Sequence, residues 1–200
     1  MRNFRIAPLI LVLWLALGCS PRDFLTRRLA TDLIAGSTTF NATQEFWLRT
    51  GVVSNKDFVS PEYLVMQRRG WITGSNTPCP AEVSPPPCWD VVLTPNGVNV
   101  FRGILPADTS LSQYFNVPAA RRELIEVTGI SKNGATAQVD FRWKWVPINA
   151  VGSALYNEEM QYASAVTFRH YDDGWRMVEN TPANSDQGLD DALKNAEPAQ

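Results

Sequence analysis

Histidine is almost missing from this chain: His170 is the one example in 200 residues. An imidazole-based metal centre needs several such ligands, and Cys19, Cys79 and Cys88 offer no closely spaced cysteine pair, so no metal site is expected. A general base at His170 would need a nucleophile and an orienting carboxylate. Asp172 and Asp173 are near it only along a hairpin end, so His170 is expected to be exposed and non-catalytic. The chain has no glycine-rich phosphate loop and no serine elbow. Glu158 and Glu159 are adjacent and would point in different directions on a strand, so they form no acid/base pair. No cofactor and no catalytic residue is expected. A basic surplus is also lacking, with 18 Lys and Arg against 20 Asp and Glu. Nucleic-acid binding, which rests on neutralising phosphates, is therefore disfavoured. No internal repeat occurs. No apolar run reaches the roughly 20 residues of a permanent transmembrane helix.

What the chain does have is alternation. In Thr136–Pro147 the residues Ala137, Val139, Phe141, Trp143 and Trp145 fall on one side of an extended chain. Thr136, Gln138, Asp140, Arg142 and Lys144 fall on the other. This period of two predicts a strand with one aromatic face. Asp140 and Arg142 share the polar face and are expected to form a surface ion pair. Phe141, Trp143 and Trp145 are the candidate lining of an apolar or carbohydrate-stacking cleft, unless other elements cover them as core.

Three further strands are expected around it, over residues 123–130, 162–171 and 175–179, giving a four-stranded antiparallel meander. The first turn can be argued from parity. A two-residue Asn133-Gly134 loop sets Glu126 against Phe141. A three-residue Lys132-Asn133-Gly134 loop pairs Ser131 with Ala135, setting Ile125 against Phe141 and Val127 against Val139. A one-residue slip turns every side chain over, so burial selects the three-residue loop. Gly134 is then left-handed in a bulge.

The amino terminus carries Arg2 and Arg5 ahead of the twelve apolar residues 6–17. Leu15-Ala16-Leu17-Gly18-Cys19-Ser20 follows. This resembles the lipobox of bacterial lipoproteins, in which the signal peptide is cut before a cysteine that then carries a diacylglycerol. Gly18 directly before Cys19 carries the match. Ala16 and Leu17 depart from the family's preference for Leu three residues before the cysteine and a small residue two before. The resemblance implies a signal peptide over residues 1–18 and lipidation at Cys19. Each buried acyl methylene contributes about 0.8 kcal/mol to anchoring. Ser20 is not the Asp that retains family members at the inner membrane, so the implied location is the bacterial cell envelope, at the outer membrane and facing the periplasm in a Gram-negative source. With Cys19 lipidated, Cys79 and Cys88 remain as a pair in an oxidising compartment and are expected to be disulfide-bonded.

Along the mature chain, residues 19–43 are expected to hold the lipidated cysteine and a helix, on the repeat Leu25, Leu29, Leu33 with Gly36 as its stop. Residues 45–53 read as a strand with Phe46, Leu48 and Thr50 on one face. Ser60-Pro61-Glu62 starts a helix, since Ser60 can cap and Pro61 suits the first helical position. A strand from Trp71, a proline-rich loop clamped by Cys79 and Cys88, and a return strand from Trp89 follow. Tyr63 to Ile72 with Val91-Val92-Leu93-Thr94-Pro95-Asn96-Gly97 resembles a winged-helix module, covering about 45 residues. The expected module spans 44–105, the meander region 106–181, and residues 182–200 are expected to be a disordered acidic tail with at most a transient helix over Leu189 to Ala196. Residues 103–118 are expected to be irregular, broken by Pro106 and Pro118. The closing hairpin, Phe168-Arg-His-Tyr-Asp-Asp-Gly-Trp175, is similar to that of NTF2-like and cystatin-like folds.

The fold class expected from these readings is α+β: an N-terminal helix and a small winged-helix-like module, then a four-stranded antiparallel meander. The functional expectation is a lipid-anchored, non-enzymatic envelope protein that binds a protein partner or a small apolar ligand. An NTF2-like small-pocket enzyme and a structural envelope component are the alternatives.

Overall fold

The computed structural model describes residues 24–81, 83, 86–180 and 186–199. The signal peptide of residues 1–18 and Cys19 lie outside the described residues. The chain divides into two compact units. The architecture is predominantly β, which corrects the α+β expectation. In place of a four-stranded meander there are a six-stranded sheet and a three-stranded sheet.

The strands are β1 (Gln44–Arg49), β2 (Gly51–Ser54), β3 (Ile72–Thr77), β4 (Cys88–Leu93), β5 (Tyr114–Asn133), β6 (Thr136–Pro147), β7 (Gln161–Tyr171), β8 (Gly174–Met177) and β9 (Glu197–Pro198). The helices are α1 (Arg27–Ala35), α2 (Thr38–Asn41), α3 (Asn55–Phe58), α4 (Pro61–Arg68), α5 (Pro95–Ile104), α6 (Ala150–Leu155) and α7 (Leu189–Lys194). The larger sheet runs β1-β5-β6-β7-β8, with β9 also on β7; the smaller runs β2-β4-β3.

Two segments account for the correction. Residues 44–54 form two strands in two different sheets, because Gly51 turns the chain with φ +79. Residues 114–120 are strand and not irregular, despite Pro118. That proline lies opposite Glu45 at a register shift, where Gln44 pairs with Ala120 and Glu45 with Pro118. Glu45 turns its N–H and C=O away from β5, so this pair asks no N–H of the proline, whose O accepts from Asn149 Nδ2 instead.

The unit holding residues 41–123 and 143–161 packs Leu48, Val53, Met66, Val91, Phe101 and Val117 into one buried cluster. Ser60 caps α4, its Oγ accepting from Tyr63 N, and Pro61 stands at the helix start. Thr94 caps α5 in the same way through Gly97 N at 3.0 Å. A Cβ on Gly97 would lie 1.9 Å from Trp71 O, so the helix enters too close to Trp71 for any side chain there. The Cys79–Cys88 disulfide is present, with Cα atoms 5.2 Å apart. In the chain-entropy account, closing so short a loop stabilises by roughly 2.5–3 kcal/mol.

The unit holding residues up to Phe40, Leu124–Arg142 and Tyr162–Pro198 centres on Ile34, Phe40, Val139, Phe141, Phe168 and Leu189. Phe40 meets Phe141 edge-on, with ring centroids 6.5 Å apart. Thr26 caps α1, accepting from Leu29 N at 3.1 Å.

The first hairpin differs from its expected register. Here β5 ends at Asn133 and β6 begins at Thr136, so the loop is Gly134-Ala135. Gly134 is left-handed, with φ +60, at the first central position where a two-residue hairpin of type II′ places glycine. Ile125 is 38% exposed while Phe141 is 1% exposed, so the expected shared face fails. Ile125 and Glu126 are consecutive exposed residues, and this breaks the alternation that the parity argument assumed. Val127 and Val139 are both buried. Arg142 pairs with Glu126, not with Asp140 as expected. Gln138 and Asp140 make the i, i+2 contact on that face instead, at 3.5 Å.

The tail is a second correction. Residues 186–199, expected to be disordered apart from a transient helix over 189–196, include a packed α7 and the short strand β9. Leu189, Ala192 and Leu193 are buried, and Ser164 Oγ donates to Ala192 O at 2.8 Å. Three apolar side chains at positions i, i+3 and i+4 form one helical face that a composition average conceals.

Candidate functional site

The aromatic strand is not where the chain opens. Phe141 and Trp143 are each 1% exposed and serve as core. Trp145 is half-buried; its ring lies 5.1 Å from that of Trp143 and 5.3 Å from that of Tyr156. The Arg122 guanidinium sits over both indoles, 4.7 Å from the Trp145 ring and 5.7 Å from the Trp143 ring. Such contacts contribute about 0.5–2 kcal/mol each. Burial lowers the pKa of Arg122 from its ordinary value, by disfavouring the charged form. The expected cleft wall is thus a packed stack of Arg122, Trp143, Trp145 and Tyr156.

One member of that stack, Tyr156, also lines a different feature. A groove of about 560 Å³ runs beside β1. This is within the roughly 300–1,000 Å³ range of ligand clefts. Its walls are Glu45 and Trp47 of β1, Tyr114 at the start of β5, the first turn of α4, and Leu155 and Tyr156 at the end of α6. Tyr156 therefore connects Trp145 to the groove.

The geometry follows from β1. Phe46 and Leu48 point into the core. Glu45, Trp47 and Arg49 occupy the opposite side, as alternation requires. Trp47 is 65% exposed and Tyr114 is 58% exposed, two large aromatic rings at the groove's rim. The Arg49 guanidinium carbon lies 5.0 Å from the Tyr114 ring centroid. Asn116 Nδ2 donates to Glu45 Oε2. Ser54 Oγ donates to Asp57 Oδ2 at 2.9 Å. Three carboxylates, those of Glu45, Asp57 and Glu62, line the groove with one guanidinium, that of Arg49.

Tyr63 closes one end. Its hydroxyl accepts from Arg49 N at 2.9 Å and donates to Arg49 O at 2.9 Å. Burial raises its pKa, and the bond with Arg49 partly opposes that rise. The phenol therefore stays protonated and holds the backbone at neutral pH.

His170 is half-buried, not exposed as expected. Its ring packs 5.0 Å from Trp175, and its backbone N donates to Ala135 O at 2.8 Å. The disulfide pair lies away from the groove lining, and Cys19 lies outside the described residues. The sequence reading missed Glu45, Trp47, Tyr63, Tyr114 and Tyr156. One signal was available: Trp47 is an aromatic residue on the polar side of an alternating strand, where core packing gives it no reason to be. Comparison with protein-family models, curated proteins and solved structures gives no match for this chain.

Proposed function

We propose that this chain is a lipid-anchored protein of the bacterial cell envelope that holds a partner protein in the groove beside β1. The anchor reading rests on Gly18 and Cys19 behind an apolar run with Arg2 and Arg5 before it. The disulfide of Cys79 and Cys88 supports an oxidising compartment such as the periplasm. Among the described residues no helix is long and apolar enough to cross a membrane. The proposed anchor is an acyl group at Cys19, facing the periplasm from the outer membrane.

The observation that carries the binding role is the exposure of Trp47 and Tyr114 at the rim of the groove. Binding is favoured over catalysis because the polar groups there are already committed to structure. Tyr63 holds the Arg49 backbone, Asn116 holds Glu45, and Ser54 holds Asp57. Large aromatic side chains supply contact area at low entropic cost, and they anchor protein interfaces for that reason.

The test places a photo-crosslinking amino acid at position 47 of the full chain in intact envelope, with position 92 as control. Val92 is also exposed, on the separate β2-β4-β3 sheet. A discrete adduct is expected from position 47 and none from position 92. Cys19→Ala should abolish incorporation of labelled palmitate, and the adduct should be lost. Absence of any position-47 adduct overturns the partner role, and a wild-type chain that takes up no labelled palmitate overturns the anchor.

A further inference from the structure

From the groove's open strand edge we infer that its occupant is an extended, lysine- or arginine-bearing segment of the partner, added as a strand alongside β1. This deepens the proposed binding role and rests on it.

The backbone direction can be worked out from two contacts. Thr50 N donates to Gln113 O at 2.8 Å, so Thr50 turns its backbone groups toward β5. In an antiparallel pair, successive residues point their N–H and C=O groups to opposite edges. Arg49 must therefore point away from β5, and Tyr63 meets its N–H and C=O there. By the same alternation Trp47 and Glu45 point away from β5 into the groove. The register to β5 is regular from Glu45 through Arg49. The larger sheet's order ends at β1, so among the described residues no strand covers this edge. Gln44 Nε2 reaches Glu45 O at 3.3 Å, a long contact that an incoming strand can replace. Tyr63 occupies the next outward position, so it limits an added strand to the Glu45–Trp47 end.

An unpaired edge is a template for another chain, and proteins protect such edges with charges, proline or covering elements. Here α4 and α6 flank the edge and leave a groove beside it. Strand addition uses main-chain hydrogen bonds for affinity and alternate side chains for selection. The selection available is electrostatic. Glu45, Asp57 and Glu62 line the groove, while Arg49, its one cation, is drawn onto Tyr114. A strand with cationic side chains on alternate positions would meet carboxylates and could stack on Trp47.

The experiment uses the full chain in detergent micelles and three ten-residue acetylated peptides. One alternates lysine with valine, one alternates glutamate with valine, and one is the lysine peptide N-methylated at every residue. The lysine peptide should bind at least about tenfold tighter than the glutamate peptide. It should slow amide hydrogen exchange at Glu45 and Trp47 by at least tenfold. N-methylation, which removes strand donors, should abolish binding. Glu45→Gln should weaken binding a few-fold by removing charge. Glu45→Pro should abolish it by removing the outward N–H while leaving the β5 ladder intact.

Binding of the lysine peptide without exchange protection, or tolerance of N-methylation, overturns strand addition. Equal binding of the glutamate peptide overturns the charge selection, and no binding of the lysine peptide overturns the inference as a whole. Concentration-dependent dimers that protect Glu45 and Trp47 overturn it in favour of a second copy of this chain. None of these results would by itself remove the position-47 adduct in envelope, so the binding role would stand or fall separately.

Discussion

The hydroxyl of Tyr63 holds both backbone groups of Arg49, accepting from its N–H and donating to its C=O, each at 2.9 Å. A side chain from α4 thus takes the place that a neighbouring strand would occupy at the end of β1. It fixes where the open edge stops, while burial, not this bonding, keeps the phenol protonated.

Tyr63→Phe removes both bonds without removing the ring that meets Phe46 at 6.3 Å. The loss should be about 1–3 kcal/mol, the cost of leaving polar backbone groups unsatisfied, read as a lower urea midpoint. The pH dependence has a definite sign. Burial raises the pKa of folded Tyr63 above its ordinary value of 10.0. The contribution is full below that ordinary value and is lost as pH rises through the folded value, because the unfolded phenol ionises first. Wild type should therefore lose more stability than Tyr63→Phe on going from neutral to strongly alkaline pH. Parallel curves would show that Tyr63 is not the group responsible.

Gly97 and Gly103 share helix α5 and should respond in opposite directions. A Cβ at Gly97 would sit 1.9 Å from Trp71 O, whereas one at Gly103 meets nothing within 4 Å. Gly97→Ala should cost more than about 2 kcal/mol through forced backbone displacement. Gly103→Ala should gain up to about 1 kcal/mol from helix propensity. Thermal denaturation of the two variants side by side reads the difference. Equal effects would contradict the close approach of α5 to Trp71.

Trp143 and Trp145 test the core assignment of the aromatic strand. Trp143→Ala should cost about 3–5 kcal/mol, as for a fully buried aromatic residue. Trp145→Ala should cost clearly less, since Trp145 is half-buried. Chemical denaturation of both decides it, and a small effect at Trp143 would return that residue to a cleft.

Leu189→Ala probes the order of the carboxyl-terminal segment. Leu189 is fully buried, so the change should cost roughly 2–4 kcal/mol. A disordered tail would give no change. Hydrogen exchange over residues 189–194 provides an independent reading of the same helix.

Reduction tests the clamp on the proline-rich loop. Opening Cys79–Cys88 should lower stability by roughly 2.5–3 kcal/mol in the chain-entropy account. Urea midpoints with and without reductant measure it. The double change Cys79→Ser with Cys88→Ser should match the reduced protein and show no further response to reductant.

Local chemistry was legible in the chain itself. Alternation over Thr136–Pro147 identified a strand and the face that would be buried. Ser60-Pro61-Glu62 announced α4, because capping and a fixed proline φ act within one turn. Three cysteines with Cys19 set apart pointed to Cys79 and Cys88 as partners. What remained hidden depends on neighbours distant in sequence. Parity could not place Ile125, because the consecutive exposure of Ile125 and Glu126 interrupts the alternation it relied on. Composition could not reveal that Leu189, Ala192 and Leu193 share one face against a sheet. Nor could any local pattern show that Trp47 would stand at an open edge while Trp143 would be sealed in. Both are tryptophans on alternating strands. Only tertiary packing put β6 inside its sheet and β1 at the edge, and with it left the outward backbone groups of Glu45 and Trp47 facing a groove.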